Sequence, residues 1–418
     1  MENHDEELRV QERFSALYVR DFRIFWIGQI ISFSGTWMQS VAQGWLVYSL
    51  TKSPFFLGLV ATMASIPVLL FTLVGGVVAD RVGKRGLLIV TQMLSMLPAL
   101  LLGILTEFKV ITVEQIMVIA FFLGTVNAFD VPARQSFLSE MVRKGHLMNA
   151  IALNSAAFNG ARIVGPVIAG IAIAAVGVAA CFYINSASFL AAIIALLMIK
   201  GRREEVPQGG QVRSRKISVS IVWKDVSEGL RFVRNDRDIF RIMFLVATFS
   251  LFGIPFVTFL PVFAQDILKV GPRGLGFLAG ASGVGSLTAA LFIAFVGDIE
   301  RKGRFMAVAG SVFCVSLAGF SFSKNFDISS LMLVFVGWGV VSFLAVANSF
   351  IQLATPDVLR GRVMSVYTLV FLGVAPLGSS LMGALAHFTG TPLAVFIGAI
   401  VCFVSVISLT GHLKKLAR

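Results

Sequence analysis

Long apolar stretches separated by short polar breaks recur from residue 22 to residue 412. Each approaches the roughly 20 residues an α-helix needs to cross a bilayer at about 1.5 Å per residue. About twelve are distinguishable, near 22–50, 54–79, 86–106, 114–138, 147–175, 178–199, 239–265, 274–297, 304–323, 328–352, 362–388 and 391–412. Lipid offers no partner to backbone polar groups, so these stretches are predicted to be helices. One polar break is long. Residues 200–238 open with KGRREEVPQGGQVRSRK, a loop by its Pro, Gly and charges. They continue as ISVSIVWKDVSEGLRFVRND, where Val219, Val222, Val226, Leu230 and Val233 recur at helical spacing. Trp223 lies among them, with Lys224, Arg231 and Arg234 beside the stripe. That pattern predicts an amphipathic helix on the membrane surface, with a partner-binding helix as the rival reading. The expected organisation is a tail (1–21), a six-helix bundle (22–200), a loop with a surface helix (201–238), a second six-helix bundle (239–413) and a tail (414–418).

Composition agrees with an all-α membrane protein: 57% hydrophobic residues, 14% charged, a mean hydropathy of +0.87. The net charge of +13 would suit nucleic acid, but its placement argues against that partner. Lys and Arg crowd alternate span ends: Arg9 to Arg23, Arg81 to Arg85, Arg143 and Lys144, the 200–241 segment, Arg301 to Arg304, Arg360 and Arg362, Lys414 to Arg418. The opposite ends carry only Lys52, Lys109, Lys269, Arg273 and Lys324. Positive loops stay inside, so both termini are expected in the cytoplasm and the span number is even. MENHDEELRVQERF is too acidic for a cleaved signal, and the first span is expected to act as an uncleaved anchor. Cys181, Cys314 and Cys402 sit in apolar runs without CxxC spacing, as buried packing residues would. No GxxxxGK[ST], HExxH or GxSxG occurs, and GLGFLA at Gly274 opens a span rather than following a strand. Neither an enzyme nor a bound cofactor or metal is expected.

The halves repeat. Pro54, Gly58 and Asp80 recur as Pro272, Gly276 and Asp298; 272 − 54, 276 − 58 and 298 − 80 all give 218. SFLSEMV at Ser136 aligns with SFIQLAT at Ser349, and Gly165 and Gly170 with Gly378 and Gly383, all shifted by 213 (349 − 136). Two parallel bundles around a membrane-normal pseudo-twofold describe one large group of secondary transporters, whose substrate sites lie between the bundles near mid-membrane.

After Gly76 and three small apolar residues comes Asp80, then Arg81, Val82, Gly83, Lys84 and Arg85. Gly76 is expected to admit a close helix neighbour and Gly83 to allow the tight turn. This matches the signature loop after the second helix of the major facilitator superfamily. FDVPARQSFLSEMV, MNAIALNSAAFNGARIVGPVIAG, EGLRFVRND and LRGRVMSVYTLVFLGVAPLGSSLMGALA resemble its enterobactin-exporter and macrolide-efflux subgroup, across about 20–410. The resemblance implies the major facilitator fold in a bacterial inner membrane. It implies that Gly76 to Arg85 form a cytoplasmic latch in the outward-facing state, with Arg360 or Arg362 as partner. Gly160, Gly165, Pro166 and Gly170 resemble the Gly-Pro motif associated with antiporters, a small-residue face with a bendable point.

Three charges fall inside predicted spans. Asp130 and Arg162 each lie about 22 Å from the ends by which their antiparallel helices enter, at comparable depth. A charge at mid-bilayer costs about 2.5–3.5 kcal/mol or more, so such residues pair. Asp130 is expected to pair with Arg162 or with Arg134, four residues on although Pro132 intervenes. Either the pair exchanges protons as the Arg moves, or it is a permanent strut. For cargo, the resemblance points to the first, fourth, seventh and tenth spans. Gln29, Thr36, Gln39 and Gln43 in the first (Trp37 and Trp45 nearby), Asn127 in the fourth, and Trp338, Asn348 and Gln352 in the tenth are candidates. Amide and indole groups in an apolar cavity suit an amphipathic molecule; each would equally serve as an interhelical hydrogen bond. The expected function is export of a small organic solute, a siderophore or lipophilic drug, by alternating access with proton antiport. The partners are then solute, protons and membrane lipids, with the protein a monomer. A lipid flippase of the same fold and a non-transporting receptor are the alternatives.

Overall fold

The structure, a computed structural model, describes residues 15–199, 219–297 and 299–413. Both tails, the 200–218 loop and Asp298, the second acid of the repeat, lie outside the described residues. Six long helices come first: α1 (Arg20–Thr51), α2 (Pro54–Arg81), α3 (Lys84–Glu107), α4 (Val113–Met141), α5 (Leu147–Val176) and α6 (Val178–Met198). The amphipathic stretch forms α7 (Val219–Asn235). Then follow α8 (Arg237–Thr248), α9 (Gly271–Val296), α10 (Lys302–Phe322), α11 (Phe326–Ala354), α12 (Asp357–Thr389) and α13 (Thr391–Leu413). α8 runs on through a π turn (Phe249–Gly253), a 3₁₀ stretch (Ile254–Phe259), Leu260–Val262 and a second π turn (Phe263–Ile267), one span in all. Pro255 and Pro261 withhold backbone donors there, and the ladder shifts register around them.

Among the described residues 11 helices are long and apolar enough to cross a membrane. The long helix outside that set is α1, whose apolar character is thinned by Gln29, Ser32, Ser34, Thr36, Gln39, Ser40 and Gln43. A helix this polar needs neighbours rather than lipid around it.

Helix ends follow the local chemistry. Thr112 and Gln115 form a reciprocal capping box at α4, and the Asn325 and Asp236 side chains accept from the first free N–H groups of α11 and α8. Gly177 and Gly390 end α5 and α12 at φ 95° and 87°, values that only glycine adopts without strain. They stand 213 positions apart (390 − 177), so the duplication extends to turn chemistry.

By contact the chain forms two units. One takes the described parts of Met1–Lys52, Met63–Gly201 and Val270–Gly280; the other takes those of Ser53–Thr62, Arg202–Lys269 and Ala281–Arg418. In the first, α1 packs on α5 and α6, and α3 on α4 and α6. Phe22, Phe25, Leu88, Phe137 and Leu196 are buried together at one end. In the second, α10 packs on α11 and α13, and Phe249 stacks on Phe343 with ring centres 4.4 Å apart.

Close helix approaches repeat between the units. A Cβ on Gly276 of α9 would lie 3.0 Å from Gly170 Cα of α5, inside the first unit. A Cβ on Gly383 of α12 would lie 3.2 Å from Gly58 Cα of α2, inside the second. Likewise Gly124 of α4 faces the Ala64 carbonyl, and Gly337 of α11 the Ser282 carbonyl. Each is one contact made twice at the repeat spacing. Without a hydrophobic force between helices in lipid, such small-residue approaches hold spans together by dispersion and packing.

Candidate functional site

Asp130 of α4 is 2% exposed. Its Oδ1 accepts from Thr91 Oγ1 at 2.8 Å and Gln92 Nε2 at 3.0 Å, both on α3. Its Oδ2 accepts from Arg134 Nη2 in an ion pair one turn along α4. Ser32 of α1 donates to Gln92 Oε1 at 3.3 Å, so three helices share one polar chain. Pro132 does not prevent the pairing, since α4 continues through it and the i,i+4 geometry survives. The Arg134 guanidinium also lies 4.7 Å from the centre of the Phe33 ring, while its buried Nε has no acceptor. Of the two partners expected for Asp130, the structure selects Arg134. Arg162 of α5 instead sits 5.6 Å from the centre of the Trp37 ring and makes no ion pair among the described residues. Arg134 shares a helix with the acid one turn away, whereas Arg162 lies on α5.

Thr91, Gln92 and Phe33 are participants that residue-by-residue reading overlooked. The signal was present: Thr91-Gln92 is a polar pair inside the apolar run LLIVTQMLSML.

At the signature loop, Lys84 pairs with Glu140 at the end of α4. Arg85 donates to the Leu196 and Leu197 carbonyls at 2.8 and 3.0 Å, capping α6. Asp80 and Arg81 are exposed, and Asp80 has no hydrogen-bond partner among the described residues. Gly76 corrects the expectation of a close neighbour: nothing lies within 4 Å of a Cβ built there. The close approach belongs to Gly75, against the Ala128 carbonyl of α4, because one residue turns a helix face by about 100°. Gly83 caps α3 at φ −59° and ψ 113°, a conformation open to any residue, so the turn does not depend on glycine. Each arginine expected as the latch partner is engaged within its own unit. Arg360 bonds Asp357 at 2.5 Å and the Gln352 carbonyl at 3.1 Å. Arg362 pairs with Glu228 of α7.

In the Gly-Pro motif, a Cβ at Gly165 would lie 2.7 Å from the Ser34 carbonyl and 2.7 Å from Trp37 Cβ, so α5 rides on α1 there. Gly170 meets α9, Pro166 lies buried in α5, and Gly160 faces open space, which corrects its assignment to the packing face.

The cargo candidates divide. Gln39 is buried and accepts from Asn185 Nδ2 of α6 at 2.6 Å, an interhelical bond rather than a cavity group. Gln29 is 1% exposed and enclosed in packing. Thr36 is exposed and donates to the Ser32 carbonyl of its own helix. Asn348 accepts from Gln352 at 2.6 Å along α11. Trp338 packs against the stacked pair Phe292 and Phe305, ring centres 6.1 and 6.2 Å away. Asn127 is exposed and Gln43 half-buried.

Among the described residues, an all-helical fold with 11 helices long and apolar enough to cross a membrane, and an ion pair inside one unit, is the architecture of a multi-pass membrane protein. Solved structures of like architecture include the nucleoside transporter NupG (TM-score 0.73, 13% identity, 94% of this chain and 99% of that one). The D-xylose-proton symporter superposes with a TM-score of 0.71 at 11% identity, covering 94% and 97%. At such identities the likeness concerns fold. The family follows from sequence: residues 11–417 match the transmembrane secretion effector model, and the chain belongs to that family of major facilitator transporters. It is similar to the Staphyloferrin A transporter of Staphylococcus aureus (23% identity; 88% of this chain, 90% of that one). It is also similar to the multidrug efflux pump Tap of Mycolicibacterium fortuitum (26%; 85% and 87%) and to macrolide efflux protein A of Streptococcus pyogenes (18%; 94% and 97%).

Proposed function

We propose that this transporter exports a small organic solute, a siderophore or a lipophilic drug, across a bacterial inner membrane in exchange for protons. Both termini would face the cytoplasm, as the loop charges suggest. The observation that carries the coupling is the buried Asp130 with its three donors. Two donors share Oδ1, and the Arg134 cation faces Oδ2, so a proton arriving at Oδ2 competes with Arg134 for that oxygen. Thr91 and Gln92 are short and held on α3, whereas Arg134 is long and has the Phe33 ring as a second anchor. Swinging Arg134 from Oδ2 to Phe33 would free the oxygen that takes the proton, and its return would expel it. Relatives named for efflux of drugs and macrolides, and one for staphyloferrin A, support the cargo class.

The test is transport in proteoliposomes carrying an interior pH dye, against a panel of siderophores, macrolides and lipophilic cations. A member of the panel should drive proton movement in the wild type. Asp130→Asn should lose solute accumulation against a gradient by at least about tenfold, one decade being ~1.4 kcal/mol, while downhill solute movement persists. Undiminished proton-driven accumulation in Asp130→Asn would refute the coupling role and leave a strut.

A further inference from the structure

Beside the first turns of α8, inside the second unit, lies a groove of about 390 Å³, within the range of ligand clefts. Leu230 and Val233 of α7, Phe240, Met243 and Phe244 of α8, and Val366 of α12 line it, and its one charged lining residue is Arg234. The groove is open: Leu230, Phe240 and Phe244 are each half-exposed. α7 is held as its wall by two contacts with α12. Glu228 pairs with Arg362, and a Cβ on Gly229 would lie 2.7 Å from the Arg362 carbonyl.

The charges along Glu228 to Arg241, the stretch that carries the groove's lining on α7 and α8, are unbalanced. Among the described side chains every acid on this stretch is occupied: Glu228 by Arg362, Asp238 by Arg241, and Asp236 by the Asp238 and Ile239 amides of the α8 cap. Arg231, Arg234 and Arg237 are exposed and have no partner among the described residues. An apolar slot at the start of a membrane span, with the Arg234 guanidinium in its lining and the exposed Arg231 and Arg237 one turn to either side along the chain, matches one class of molecule. We propose that the groove binds an anionic phospholipid of the adjoining leaflet, an acyl chain against Phe240 and Phe244 and the phosphate at Arg234 and Arg231. Guanidinium suits this role because its fork meets phosphate oxygens in pairs. Since α7 rests on α12, the bound lipid would fasten the surface helix to a spanning helix.

The experiment titrates detergent-purified full-length protein with phosphatidylglycerol or phosphatidylcholine of identical chains and counts retained lipids by native mass spectrometry. The wild type should retain phosphatidylglycerol in preference to phosphatidylcholine. Arg231→Gln with Arg234→Gln should lower phosphatidylglycerol retention about fivefold per arginine, the factor that ~1 kcal/mol per basic residue at an anionic surface gives. Ala247→Phe, filling the groove floor, should abolish the retained lipid whichever headgroup it carries. Both arginines are exposed, so their variant is expected to fold and decides the matter even if Ala247→Phe does not. Equal retention of the two lipids overturns the proposal. So does unchanged retention without the arginines, retention persisting in a folded Ala247→Phe protein, or no retention by the wild type.

Discussion

Asp130 is a buried carboxylate and Arg134 a largely buried guanidinium, and their energetics are asymmetric. Breaking such a pair by removing one partner leaves a buried charge uncompensated, at about 3–5 kcal/mol, while removing both is often near neutral. Asp130→Asn alone should therefore lower the thermal midpoint in detergent, and Asp130→Asn with Arg134→Gln should recover most of the loss. If the double variant is restored in stability yet still fails in proton-driven transport, strut and coupling roles separate. A double variant as unstable as the single one would locate the cost elsewhere, in the Thr91 and Gln92 bonds. Gln39 and Asn185 allow a second cycle. Gln39→Leu should cost about 1–3 kcal/mol by orphaning the buried amide, and adding Asn185→Leu should cost less than the sum. Additive losses in thermal unfolding would show that the bond contributes nothing.

At two places in this fold helices meet glycine to glycine, alongside the buried Phe and Leu clusters. Gly170 against Gly276, and Gly58 against Gly383, leave no room for a branched side chain. Gly58→Leu and Gly276→Leu should each destabilise by about 1–3 kcal/mol through overpacking, with similar falls in midpoint because the repeat makes the contacts equivalent. Gly76→Leu, with open space around it, should not. That three-way comparison of midpoints checks the assignment of close approaches. The turn lysines are a further element-scale feature. Lys52, Lys109 and Lys269 end or follow helices at φ 49°, 56° and 55°, and three of the five basic residues at the sparsely charged span ends hold this left-handed conformation. Lysine tolerates it because its charge lies near the carbonyl end of the helix, offsetting part of the strain of about 1–2 kcal/mol.

For the whole molecule, the alternation of basic and bare span ends predicts which loops share a side. In a chain freed of Cys181, Cys314 and Cys402, single cysteines at Arg81 and Arg301 should react with a membrane-impermeant maleimide only from the side of the termini. Those at Lys109 and Lys324 should react only from the other side. The three native cysteines are buried, so each is replaced by alanine and the thermal midpoint of the cysteine-free chain is compared with the wild type first. Reaction of Arg81 and Lys109 positions from one side would overturn the topology.

Helix positions, the repeat spacing, the amphipathic helix α7 and the presence of buried charges were legible in the chain because hydropathy, charge placement and repeat spacing are properties of sequence order. What the tertiary structure decided is rotational. In lipid both the packed and the lipid-facing sides of a span are apolar, so the pattern cannot say which way a helix is turned. Gly75 rather than Gly76 therefore meets α4, and Gln39 turns to Asn185. Each outcome depends on helix faces that differ by about 100° per residue, and only packed neighbours distinguish them.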